Sequence, residues 1–135
     1  MRATSGSVRR TSVLPKRIRI SKSAADALKL LKARTGVTPN IVCRMALLIS
    51  LENGRAGGLK ETDGAGSEFN APTLFGEFGL LIECLLKQVH GELDSKSAAA
   101  VIASHIDDGL EVLKKSRSLL DLVRHSNLDE LVAQA

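Results

Sequence analysis

A mainly α fold, with one short N-terminal β-strand followed by four helices, is what this sequence predicts. Three observations carry that expectation. Apolar residues recur at helical spacing over most of the chain beyond Ser21, helix-start signals stand at Ser21, Thr38 and Asp94, and a short apolar/basic alternation, KRIRIS, occupies residues 16–21. The 135 residues suit a single domain with a modest core, which must be aliphatic because there is no Trp or Tyr and only three Phe.

Residues 1–13 are rich in Ser, Thr and Arg and lack periodicity, so they are expected to form a flexible basic arm whose Arg2, Arg9 and Arg10 are suited to phosphate. A single domain is expected over 14–126, beginning with a strand–helix–helix module at 14–52. In KRIRIS, Ile18 and Ile20 share one face of the strand and Arg17 and Arg19 the other. So short a strand needs a partner for its backbone groups. Pairing with the same strand of a second subunit would give a ribbon with four arginines on one face, a shape that enters a major groove. Helix one starts at Ser21 or Ser23 and ends at Gly36, with Ala24, Ala27, Leu28 and Leu31 as its apolar face. Thr38 and Pro39 start helix two, which runs to Glu52; it is apolar nearly all round and is therefore expected at a subunit interface.

Residues 53–70 hold five glycines and read as a plain connecting loop, without the pattern of a phosphate-binding loop. The helical half, 71–126, is expected to contain two helices. Helix three spans about Thr73 to Val89, on Leu74, Phe75, Phe78, Leu81, Ile82, Leu85 and Leu86. Helix four spans Asp94 or Ser95 to Arg124, on Val101, Ile102, Ile106, Leu110, Leu113 and Leu120, with Gly109 letting another helix come close. Residues 127–135 are left as a C-terminal turn or tail.

Charge is divided unevenly. Residues 1–60 hold thirteen Lys and Arg against Asp26 and Glu52, whereas 61–135 hold six against thirteen Asp and Glu. Such a basic half points to a polyanion; mutual attraction of the halves within an oligomer is the alternative. Scarce aromatics weigh against single-strand and RNA platforms. Arg17 and Arg19 are the expected groove or phosphate contacts. Lys16, Lys22, Lys29, Lys32, Arg34 and the helix start at Thr38 and Asn40 complete a phosphate clamp, although helix-one lysines are also what a solvated face would carry.

No catalytic motif supports an enzyme, and no cofactor or metal site is expected. His105, Asp107 and Asp108 do not make a triad by spacing, and His90, His105 and His125 are given structural or surface roles. Cys43 and Cys84 are read as small, inert core residues, and their scarcity fits a reduced interior. With no leader-like segment and no membrane-length apolar run, a cytoplasmic protein without membrane attachment is expected.

The strand–helix–helix order resembles a ribbon-helix-helix module. More specifically, LPKRIRIS, LKARTGVTPNIVCRMAL, LFGE at Leu74–Glu77 and ASHIDDGL at Ala103–Leu110 resemble the DndE family over Leu14 to Val123. DndE is the small subunit of bacterial DNA phosphorothioation systems, which replace a non-bridging phosphate oxygen with sulfur. The resemblance implies a helical homotetramer that binds duplex DNA, with a preference for nicked duplex. It would act beside a cysteine desulfurase, a sulfur-transfer enzyme and an ATPase. The family's lysine-rich surface falls by position on Lys16, Arg17, Arg19, Lys22, Lys29, Lys32 and Arg34. Ala33 departs from the glycine common in the family. Two other readings stay open: a ribbon-helix-helix repressor, which would prefer one operator strongly, and a protein-only adaptor that docks acidic surfaces.

Overall fold

The computed structural model describes residues 14–53 and 60–126. The expected arm 1–13, the loop positions 54–59 and the tail 127–135 lie outside the described residues. A mainly helical chain with a short N-terminal strand is observed, as expected. In order come β1 (Arg17–Arg19), α1 (Lys22–Thr35), α2 (Pro39–Glu52), β2 (Glu68–Asn70), α3 (Ala71–Phe75), a 3-10 turn (Gly76–Phe78), α4 (Gly79–His90), α5 (Ser95–Leu113) and α6 (Leu119–His125).

β1 finds its partner inside the chain. It pairs antiparallel with β2 in the register Arg17–Asn70, Ile18–Phe69, Arg19–Glu68, and Ile20 N–H continues the ladder onto Ser67 O at 3.0 Å. This corrects two expectations. The strand's partner is not a second copy of itself, and residues 53–70 are not wholly connection. The physical reason is the small alternation Glu68–Phe69–Asn70, which sets Phe69 opposite the fully buried Ile18. Ile20 is equally buried, so the inner face of the ribbon belongs to the core.

α1 is started and stopped as the sequence predicts. Ser21 Oγ accepts from Ala24 N–H at 3.0 Å and donates to Asp107 Oδ1 at 2.6 Å, tying the helix start to α5. At the other end Gly36 adopts φ 80°, and its N–H reaches Lys32 O at 2.9 Å. α2 runs through the middle of the core, with Val42, Cys43, Ala46 and Leu47 fully buried. Its burial, expected from a subunit interface, is supplied largely by α1, α3, α4 and α5 of the same chain. The tightest packing is against α5. A Cβ built at Gly109 would lie 2.1 Å from Ala46 O, so that position admits hydrogen alone.

The two long helices expected in the second half are each divided. In the first, Asn70 Oδ1 accepts from Thr73 N–H at 2.9 Å to start α3 early, and Gly76 at φ 56° ends it. Arg44, reaching across from α2, donates to Leu74 O at 2.9 Å and Thr73 O at 3.2 Å and so satisfies carbonyls at the end of that short helix. In the second, Ser118 Oγ accepts from Asp121 N–H at 3.2 Å while Asp121 Oδ2 accepts from Arg117 N–H at 3.2 Å. The Ser118 cap, with Asp121 reaching back to the residue before it, restarts the helix as α6.

A polar chain crosses the core beside Gly109. Ser50 Oγ donates to Asp108 Oδ2 at 2.7 Å and also lies 2.7 Å from His105 Nδ1, while His105 Nε2 lies 2.7 Å from His90 Nε2. A hydroxyl has one proton, so with both imidazoles neutral His105 Nδ1–H donates to Ser50 and His90 Nε2–H donates to His105. Ser50 and His105 are completely buried. Here Ser50 stands between the Asp108 carboxylate and the His105 imidazole, and the network ties α2 to α5.

Candidate nucleic-acid interface

The ribbon's outer face carries four side chains: Arg17 and Arg19 from β1, Glu68 and Asn70 from β2. The Arg17 and Arg19 side chains are 74% and 55% exposed. Arg19 Nη1 donates to Gly66 O at 3.4 Å, which rests one end of its guanidinium fork against main chain. Glu68, 40% exposed, faces both arginines, with Oε1 3.2 Å from Arg19 Nη2 and Oε2 4.0 Å from Arg17 Nε. Exposed Lys16 joins Arg17, Asn70, Ala71 and Pro72 around a shallow depression at one end of the ribbon. The ribbon with four arginines expected from two subunits is thus replaced by one with two arginines, a carboxylate and an amide.

The α1 residues separate by helical geometry. Lys22 and Lys29, seven positions apart, lie on the face opposite buried Ala24, Leu28 and Leu31. Lys32 and Arg34 fall on opposite flanks, and all four are exposed. Arg34 turns toward the α5–α6 connection, with Nη1 3.5 Å from Ser116 O. Lys22 is tempered by acids. Its Nζ lies 3.5 Å from Asp26, and its backbone N–H donates to Asp63 Oδ1 at 3.1 Å. Backbone hydrogen bonds from Ala65 and Lys22 hold the Asp63 carboxyl below its ordinary range, so it stays anionic beside the start of α1. Thr38 is exposed and makes no side-chain capping bond, whereas Asn40 Nδ2 donates to Thr73 O at 3.3 Å and serves packing onto α3. Arg17, Arg19 and Lys16 therefore form one cluster, Lys22 and Lys29 a row along α1, and Arg34 and Asn40 point elsewhere.

Several groups near this surface were not visible as such in the sequence. Glu68 and Asp63 lie within the glycine-rich stretch, and only the fold brings them beside basic residues. Arg44 is also absent from the expected set: its guanidinium stacks 5.7 Å from the Phe78 ring while capping α3. A cavity of about 490 Å³ between α1 and α5 is lined by Asp107, Asp108 and Glu111 together with Lys60 and Lys114. Its carboxylates make it unfit for a polyanion. Burial pushes the Asp107 carboxyl up, partly offset by the Ser21 hydroxyl. Among the described residues no group of His, Cys, Asp and Glu is placed to hold a metal ion, and no helix is long and apolar enough to cross a membrane.

The cysteines differ. Cys43 is buried, and desolvation pushes its thiol up to about 12. Cys84 is exposed, which corrects its placement in the core. It shares the outer side of α4 with Leu80 and Leu81, and Leu81, Phe78 and Leu120 are exposed where the periodicity placed them inside. Alkylation of the dissociated subunit is expected to label Cys84 and spare Cys43, whereas self-association through the Leu80 side of α4 would also shield Cys84, read by peptide mass spectrometry. Labelling of both without denaturant would mean that α2 opens.

A family model described as DNA sulphur modification protein DndE matches residues 17–121. The crystal structure of DndE from Escherichia coli B7A, involved in DNA phosphorothioation modification, is similar at 32% identity and a TM-score of 0.69, covering 76% of this chain and 98% of that one. The crystal structure of a DndE mutant with two glycines changed to lysine is similar at 32% identity and a TM-score of 0.63, covering 76% and 100%. No curated protein matches the chain.

Proposed function

The chain belongs to the DndE family of DNA sulphur modification proteins, and on that premise we propose that it is a non-catalytic, duplex-DNA-binding accessory subunit of DNA phosphorothioation. The observation that carries this reading is the pair of exposed guanidiniums on the outer face of a ribbon whose inner face is locked into the core. Rigid backing holds the cations at fixed spacing, and the Lys22–Lys29 row adds exposed positive charge on α1. Contacts of this kind read the phosphate backbone and not base sequence. The subunit would position duplex, with a preference for nicked duplex, for a cysteine desulfurase, a sulfur-transfer enzyme and an ATPase.

Self-association into a tetramer is supported by apolar side chains that the chain leaves uncovered, Leu80 at 68% exposure foremost. The repressor reading loses its main support, because the strand that would form a shared ribbon is paired within the chain. The adaptor reading has no observation of its own. The test is binding of intact and nicked random-sequence duplex across a salt series, with mass measured by light scattering. Engagement of Lys16, Arg17, Arg19, Lys22 and Lys29 predicts a log–log salt slope of about −4.5 per subunit, little sequence preference and tighter binding to nicked duplex. A duplex-independent signal at low salt, or strong preference for one sequence, would sink the accessory reading.

A further inference from the structure

One group on the ribbon's outer face is out of keeping with a polyanion-binding surface. Glu68 stands directly opposite Arg19 and diagonal to Arg17, and its carboxylate gives one oxygen to each guanidinium, at 3.2 and 4.0 Å. A phosphodiester presents the same pattern: a single negative charge spread over two oxygens that accept from arginine. The pairing is not needed to hold the fold, since ion pairs this exposed contribute little to stability. Nor is it needed to place Arg19, whose other nitrogen is held by Gly66 O.

We propose that Arg17 and Arg19 form a phosphodiester subsite which the Glu68 carboxylate fills in the free protein, and that a DNA phosphate displaces Glu68 on binding. The inference rests on the DNA-binding reading above and adds the residue that tunes it. The displaced carboxylate stays beside the phosphate and opposes it. Glu68 therefore weakens the grip, which suits a subunit that must release DNA to partner enzymes. It also keeps the two arginines from holding other anions, because any competitor must first break the internal pair.

The experiment compares wild type, Glu68→Gln, Arg17→Ala/Arg19→Ala and the triple variant on one labelled random-sequence duplex over a salt series. Glu68→Gln keeps the side-chain shape and removes the charge; its melting temperature should match wild type. It is expected to bind about fivefold tighter at low salt, with a salt slope steeper by about one. That gain should vanish between the double and triple variants, where the arginines are gone. Unchanged or weaker binding by Glu68→Gln overturns the proposal, since Glu68 would then be neutral or would orient the arginines. An equal gain without the arginines also overturns it, because that is the effect of a remote charge. The DNA-binding reading fails by separate signs: wild type and the arginine variant bind alike, or wild type binds no duplex. In the latter case a Glu68→Gln protein that binds upholds the subsite, and an inert one removes it.

Discussion

Duplex affinity should fall about a hundredfold at low salt when Arg17 and Arg19 are both replaced by Ala, on the basis of two charge-assisted phosphate contacts of ~1.5 kcal/mol each. The salt dependence should flatten by about two units, one for each counterion no longer released. The fold should not suffer. Both side chains stand mostly in solvent, and their pairs with Glu68 are exposed ones. The strand itself is held by Ile18, Ile20 and its ladder to β2, none of which the variant touches. Anisotropy titrations with parallel measurement of mass and melting temperature separate the outcomes. Wild-type affinity in the variant would move the interface off the ribbon and onto the Lys22–Lys29 row of α1.

The largest effect on stability is expected at Gly109. Substitution by Ala puts a methyl carbon 2.1 Å from Ala46 O and 2.5 Å from Ala46 C, atoms of backbone that no rotamer change can move. The helices α2 and α5 must separate, and they hold the centre of the core. Overpacking of this kind costs about 3 kcal/mol, against ~1 kcal/mol gained from better helix propensity in α5. The net loss should lower the melting temperature by roughly 10 °C, and Gly109→Val should fail to fold. The adjacent polar chain through Ser50, His105 and Asp108 will register the shift, because its 2.7 Å contacts cross the same seam. A thermal scan in which Gly109→Ala melts within about 2 °C of wild type would mean that the helices pack less closely.

Much of the first half was legible because its signals are local. The Ser21 cap, the Gly36 stop, the Thr38–Pro39 start and the alternation of Ile18 and Ile20 each act through neighbours in the chain, and each appears where expected. Gly109 was readable for the same reason: a lone glycine inside an apolar helix marks close approach. β2 was not readable. Three residues of alternation inside a glycine-rich run carry no periodic signal, and Glu68–Asn70 becomes a strand because β1 is there to pair with it. The breaks at Gly76 and Ser118 had their signals in the sequence, but apolar periodicity continues through both and masked them. On α4 apolar residues occur on both sides, so spacing alone could not say that Ile82 and Leu86 face inward while Leu81 and Cys84 face out. The basic surface was legible from uneven charge. Its acidic moderators, Glu68 and Asp63, belong by sequence to the acidic half and reach it only through tertiary structure.

The ribbon also has a history in time. Arg19 and Glu68 touch across 49 positions of chain, and everything between them, including α1 and α2, must be made and placed before they meet. Closing so long a loop is slow relative to winding a helix, so the ribbon forms after α1 and α2 have wound. A nascent chain leaving the ribosome carries its arginines early but cannot set them on a rigid backing until residue 70 has emerged. The two guanidiniums thus gain their fixed spacing only when the chain has been made through β2.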